Sequence, residues 1–509
     1  MRTRRHRRTV RRSGRAAALA LVAAFVASCT AGEAAPRGDH AATAPGRDGP
    51  QGQGAPAPPP EPVALAVDGQ RGGEHVVASG GADAVYNYGP TLLVDGGTVR
   101  MWWCSQYGSA PPAGDDILYA EADSPSGPFA GPGGGSVPAV FSGNPGAFDA
   151  MHTCDPSVLR VGGTYYMYYT GAAGDHAHRN AIGVATSQDG MHWKRVTDGP
   201  IVTQAGDTIR DNTYGAGQPA AVFLDGWFYL MFTDTTGQAA GWNGAGQFVL
   251  RSRDPLFSAG VEALGPDGFT AVESTAAPRT RSVVDAFSAD LMWVDALDAF
   301  AIAHQTGDGT RLTFWNRDFT AQPYHPVVIP TQWEEGPGLV RQPDGHAPTS
   351  TKDVCGRVPF DVVHATVIGG ADAPTDLRHY GIDVHGVDGC GSPGRALAVL
   401  DGVALPSPVR TMDLVVGGHV VRVDRRSVAT TLARHVLDER VPALDAVPVA
   451  ARLEAGATAV SAEGRGTGFV LDGTVWPVSS AEALEANDSP VESIGAEQWD
   501  AYPKGPALG

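Results

Sequence analysis

The chain has 509 residues and a formal net charge of −18, and removing the eight arginines of residues 1–28 takes that charge to −26. So acidic a remainder argues against nucleic acid as a partner and against adhesion to anionic lipid. Beyond the leader and tether, about 450 residues are left, enough for one large all-β domain and one small one.

Residues 1–28 combine those arginines with no acidic residue and an apolar run over 16–27, the pattern of an export signal. Val26-Ala27-Ser28-Cys29 closes it. That junction is similar to a bacterial lipoprotein signal, which makes Cys29 the lipidated mature N-terminus. The protein is then expected on the extracytoplasmic face of the cell membrane, touching the bilayer through its lipid alone. An uncleaved transmembrane anchor is the alternative, but about a dozen apolar residues are too few to span a bilayer. Residues 29–62 are rich in Ala, Gly and Pro and end in Pro58-Pro59-Pro60-Glu61-Pro62. They cannot bury a core and form a flexible tether.

From residue 63 the strand signals repeat. Tyr88-Gly89-Pro90 opens a run that turns at Asp95-Gly96-Gly97, returns over 99–104 and continues over 117–122. Cys154-Asp155-Pro156-Ser157-Val158 opens a second unit, which turns at Gly162-Gly163, returns through Tyr165-Tyr166-Met167-Tyr168-Tyr169-Thr170 and ends in Ser187-Gln188-Asp189-Gly190-Met191-His192-Trp193. Gly217-Gln218-Pro219 opens a third, Ser288-Ala289-Asp290 a less regular fourth, and Glu335-Gly336-Pro337 a fifth that turns at Asp344-Gly345. Short β-rich runs separated by Gly-containing turns read as antiparallel strands. Five units of blade length predict an all-β, five-bladed β-propeller over residues 63–395, with the extended run before Tyr86 as the candidate closing strand. A two-sheet sandwich shares the strand lengths but does not repeat an anchor dipeptide at each inner strand.

The second unit resembles one blade of the propellers of the arabinanase, levansucrase and invertase type, which includes glycoside hydrolase family 43. The resemblance implies a glycosidase acting on a pentose or furanose polymer, without cofactor or metal, and a monomer whose partner is a polysaccharide or oligosaccharide. It also implies a base Asp, a modulator Asp and an acid Glu at the openings of blades one, two and three. Here those openings hold Gly89, Asp155 and Gln218, so the fold follows from the likeness more directly than the reaction does.

Glycoside hydrolysis needs two carboxyl groups flanking the scissile bond. Asp155 is the first candidate, although an Asp before Pro also caps turns. Glu335 resembles the family's Glu-Gly-Pro acid, with Glu334 as its competitor. Asp290, or Asp285 just upstream, is the candidate third carboxylate. Asn87, Tyr88, Gln218, Asp285, Trp242, His178 and Arg179 are expected around the substrate, together with loop residues such as Asp115 and Asp116. Asp175, His176 and His178 lie close in sequence but match no zinc spacing. A catalytically silent glycan-binding propeller is the rival reading. The absence of a Gly-x-Ser-x-Gly elbow, a phosphate loop and a Cys-x-x-Cys pair removes serine hydrolases of that type, nucleotide enzymes and zinc ribbons.

Setting Cys29 aside leaves an even set of four cysteines, as befits an exported protein. Strand polarity in such a propeller puts Cys104 and Cys154 on the funnel face and Cys355 and Cys390 on the opposite face, so the expected bridges are Cys104 with Cys154 and Cys355 with Cys390. Residues 396–509 read as two tandem α+β modules offset by 55 residues. Leu414-Val415-Val416-Gly417-Gly418 matches Phe469-Val470-Leu471-Asp472-Gly473, and Asp445-Ala446-Val447-Pro448 matches Asp500-Ala501-Tyr502-Pro503.

Overall fold

The computed structural model describes residues 61–80, 86–106, 114–174, 178–206, 214–331, 335–367 and 375–509. Cys29, the leader, most of the tether, Asp175, His176 and Glu334 lie outside them.

Five antiparallel blades follow one another in chain order. Their inner strands are Asn87–Asp95, His152–Val161, Ala216–Leu224, Ala289–Val294 and Gly338–Arg341. Each blade runs outward from its inner strand, as in the second, where His152–Val161 pairs with Thr164–Ala172, then Ala181–Ser187, then Lys194–Arg195. The ring closes by mixing chain ends. Ala66–Ala78 pairs antiparallel with Thr375–His385 as the outermost strand of blade five, and Gly338–Arg341 runs parallel beside Asn87–Asp95 of blade one. Ion pairs hold the seam: Arg71 reaches Asp361 and Asp383 at 2.7 Å each, and Arg357 reaches Asp383 at 2.8 Å and Asp68 at 2.5 Å.

Interblade packing is aromatic. Trp102 of blade one is fully buried against Tyr165 and Trp193 of blade two. Its Nε1 donates to the carbonyl of Gly190, as does that of Trp193. The Asp189-Gly190 turn and the Trp that follows it therefore fasten neighbouring blades together. Both expected disulfides are present, Cys104–Cys154 between blades one and two and Cys355–Cys390 at the far end of blade five.

Arg341 stands on the axis and is fully buried. Its Nη1 donates to the carbonyls of Ala221 and Leu291 at 2.9 Å each, and its Nη2 donates to Thr91 Oγ1 at 2.8 Å. Asp290 Oδ1 lies 3.4 Å away as counter-charge. The turn after Arg341 seals the lower mouth of the channel: Arg160 N–H donates to Pro343 O, Phe223 N–H to Asp344 O and Trp293 N–H to Gly345 O.

His346 completes this plug. Its Nδ1 faces Asp295 Oδ2 at 2.9 Å and its Nε2 faces the carbonyl of Phe223 at 3.0 Å. Neither partner donates, so both ring nitrogens carry protons and the group is an imidazolium.

The two C-terminal modules share one plan. Val403–Pro406, Met412–Val416 and His419–Val423 precede the helix Arg426–Leu432 in the first. Ala459–Ala462, Gly466–Leu471 and Thr474–Val478 precede the helix Ala481–Ala486 in the second. Each Asp-Ala-x-Pro ends a short helical turn, Pro442–Ala446 or Ala496–Ala501. Leu400, Val403, Leu405 and Val415 share one hydrophobic core with Met292, Phe314 and Phe360 of blades four and five.

Acidic neighbours offset the burial of His346 and raise its pKa to about 9. The stabilisation is complete below the unfolded pKa near 6.5 and is lost as pH rises through about 9. Comparing urea unfolding of wild type and His346→Gln at pH 6 and pH 10 should show a difference on the order of 3 kcal/mol at the lower pH that has largely disappeared at the higher.

Candidate active site

Four of the five inner strands open on a left-handed residue followed by proline: Gly89 (φ 55°), Asp155 (φ 46°), Gln218 (φ 51°) and Gly336 (φ 55°). Proline has no N–H to give the ladder. The strand bulges there, and regular pairing resumes at Thr91, Ser157 and Ala220 in the first three blades. Left-handed backbone is costly for residues other than glycine and persists where the surroundings enforce it. Asp155 and Gln218 meet that cost while directing their side chains into a small cleft at the axis, which Ser288, Asp290 and the two glycines also line. Both glycines are tightly enclosed. A Cβ on Gly89 would lie 3.0 Å from Asp155 Oδ1, and one on Gly336 would lie 3.0 Å from Gly89 Cα.

Hydrogen bonds fix the polar groups in order. Ser288 Oγ donates to Gln218 Oε1 at 2.5 Å, so the amide presents its nitrogen, which donates to Glu335 Oε1 at 3.1 Å. Gln218 N–H donates to Thr170 Oγ1 at 2.7 Å. Thr170 also hydrogen-bonds the Asp155 carboxylate and so favours its charged form. Gln218 thus links the two carboxyl groups, through Thr170 on one side and directly on the other. Burial pushes the Asp155 carboxyl above its ordinary pKa, opposed by His152 and the Thr170 hydrogen bond. Tyr88 and Tyr214 lie within the electrostatic reach of Asp155 and Glu335. Burial, with the charges of Asp155 and Glu335 among its neighbours, raises both phenols well above their usual value.

His152 has no counterpart among the sequence expectations. It is buried, and its Nδ1 lies 2.5 Å from Asp115 Oδ2. A ring nitrogen also comes within 4.8 Å of an Asp155 carboxylate oxygen. One signal was available: His152, Cys154 and Asp155 are crowded at one strand opening. The partner Asp115 comes from another blade, 37 residues away, where spacing carries no information.

The remaining expected residues separate into two groups. Asp290 lines the cleft, but its Oδ2 accepts from Leu339 N–H at 2.7 Å and its Oδ1 from Leu291 N–H at 2.8 Å, which joins blades four and five. Asn87 is fully buried, its Oδ1 accepting from Trp103 Nε1 and its Nδ2 donating to Thr375 O; the amide pins blade one to blade five. His178, Arg179 and Asp285 are exposed. Trp242 is 89% exposed, and its neighbour Gly241 approaches Asp285.

No family model and no curated protein matches the sequence. Among solved structures, the chain is similar to a family 117 glycoside hydrolase from Zobellia galactanivorans, with 12% identity and a TM-score of 0.39 over 63% of this chain and 90% of that one. An α-L-arabinofuranosidase from Podospora anserina matches at 11% identity and a TM-score of 0.39, over 63% and 97% of the two chains. A GH43_1 enzyme from Xanthomonas citri matches at 14% identity and a TM-score of 0.37, over 58% and 87%. Likeness at this level leaves the propeller to rest on its own strand order and the chemistry on the residues of the cleft.

Gly336→Ala should destabilise by roughly 1–3 kcal/mol and displace Gly89 and Asp155. Gly386→Ala is the control, since its φ is also positive, at 74°, yet nothing lies within 4 Å of its added Cβ. Denaturant unfolding should show the larger loss for Gly336→Ala; equal losses would mean that the axis is not crowded.

Proposed function

We propose that this chain is a surface-tethered glycoside hydrolase that cleaves a pentose or furanose polysaccharide with Asp155 as general base and Glu335 as general acid. The observation that carries this reading is the placement of two carboxyl groups from different inner strands on either side of Gln218, at the open end of a channel sealed below.

Glu335 would deliver a proton to the glycosidic oxygen as that bond breaks, and Asp155 would take one from the water that attacks the anomeric carbon. A carboxylate whose pKa is raised by burial is a stronger base than a solvated one, which suits this task near neutral pH. Gln218 Nε2 and the Tyr88 and Tyr214 phenols are polar groups suited to sugar hydroxyls, and aromatic faces at the rim suit sugar rings. The polymer class comes from the resemblance of the Asp-Pro-Ser-Val blade. The basic leader and Val-Ala-Ser-Cys junction support export and anchoring through Cys29.

A glycan-binding propeller without catalysis is favoured by one observation: uncharged Gly89 and Gln218 occupy two openings where the resembling family has carboxylates. Sugar release from arabinans, xylans and fructans by the mature protein distinguishes the two. Asp155→Asn and Glu335→Gln should each lower the rate about 10²- to 10⁴-fold with melting temperatures near that of wild type. Binding to one of these polymers with no release of sugar would favour the binding module.

A further inference from the structure

The Asp115–His152 pair is buried beside Asp155, and neither member has a part in the acid–base scheme above. Both side chains are nearly inaccessible, 3% and 5% exposed. The backbone places them deliberately. Asp115 N–H donates to the Met151 carbonyl at 3.0 Å, and Gly114 packs so closely that a Cβ there would come within 2.3 Å of the same carbonyl. The segment before the third strand of blade one is thereby fastened to the entrance of blade two. Cys104–Cys154 adds a covalent tie beside it, with Asp115 oxygen and both sulfurs within 4.8 Å of one another.

We infer that Asp115 holds His152 as an imidazolium, and that this fixed cation is a positioning residue that keeps Asp155 ionised inside the cleft. The inference rests on the proposed role of Asp155 and adds the group that sets its charge. A buried carboxylate is costly without a neighbouring positive charge, and among the described residues no Arg or Lys acts on Asp155. Among those residues His152 is the cation within reach. The charged groups facing it are Asp115 from blade one, Asp155 on its own strand and Glu335 from blade five; together they outweigh burial and raise its pKa. Three acids around one imidazole hold the proton on the ring, and the ring in turn favours the charged form of its nearest unpaired carboxylate.

Two spectroscopic readouts test this on the full mature chain without any substrate. Nitrogen-15 NMR of histidine-labelled protein at pH 7 should show His152 with both ring nitrogens protonated, and Asp115→Asn should convert it to a neutral tautomer. Carbon-13 carboxyl titration should show the Asp155 midpoint moving up by about one pH unit or more in His152→Gln, and in Asp115→Asn should the first variant fold poorly. A neutral His152 in wild type from pH 5 to 8, or an Asp155 midpoint that stays in place in both variants, would overturn the inference. With a hydrolysed substrate in hand, the acidic limb of kcat/KM should move up by the same amount in these variants, whereas a merely structural role would lower the rate without moving the limb. The expected spectra with no polymer hydrolysed would leave the ion pair standing and remove the glycosidase reading instead.

Discussion

A single guanidinium on the axis joins the blades of this propeller. Arg341 belongs to blade five, donates to carbonyls of blades three and four and to Thr91 of blade one, and Thr91 Oγ1 in turn accepts from Val158 N–H of blade two at 3.4 Å. A charge removed this completely from water is costly unless it is paired and hydrogen-bonded. Asp290 supplies the countercharge, and the planar fork of donors suits several acceptors converging from different directions. Breaking a buried arrangement of this kind typically costs about 3–5 kcal/mol, because the surviving partner is left uncompensated.

The site is a consequence of that axis. With the lower mouth filled by Arg341 and the turn that follows it, the inner strands open in one direction, and their first residues crowd together there. Crowding explains the distribution of residue types. Glycine stands at the openings of blades one and five because a Cβ would meet Asp155 in one case and the Gly89 backbone in the other. The side chains these glycines leave out make room for Asp155 and Gln218, which accept left-handed backbone to reach the same space. Glu335 directly precedes the left-handed Gly336, and its carboxyl group meets Gln218 Nε2.

Much of the scaffold was legible in the sequence because its signals are local. Gly-Gly and Asp-Gly turns fix hairpins, the x-Pro openings mark bulges, and strand polarity fixes which cysteines share a face; both bridges followed from that polarity. The 55-residue repeat was equally visible, since equivalent hairpins and helices recur at that offset. The pairing of Asp115 with His152 was not legible, because it joins two blades and depends on how closely Gly114 approaches Met151. Nor was the role of Arg341, which in sequence is one more residue at the end of a strand. Asn87 and Asp290 showed the limit of reading polar residues at openings as ligands: both side chains are engaged by neighbouring strands, a distinction that appears only when hydrogen-bond partners are counted.

The central claim is that a sugar polymer is held at the channel mouth between Asp155 and Glu335. A crystal structure of the mature Asp155→Asn variant with an oligosaccharide cut by the wild type tests it most directly. The account predicts a glycosidic oxygen within hydrogen-bonding distance of Glu335, with the adjoining anomeric carbon facing residue 155 and a sugar hydroxyl on Gln218 Nε2. Sugar bound along the outer rim near Trp242, with the channel mouth unoccupied, would contradict it.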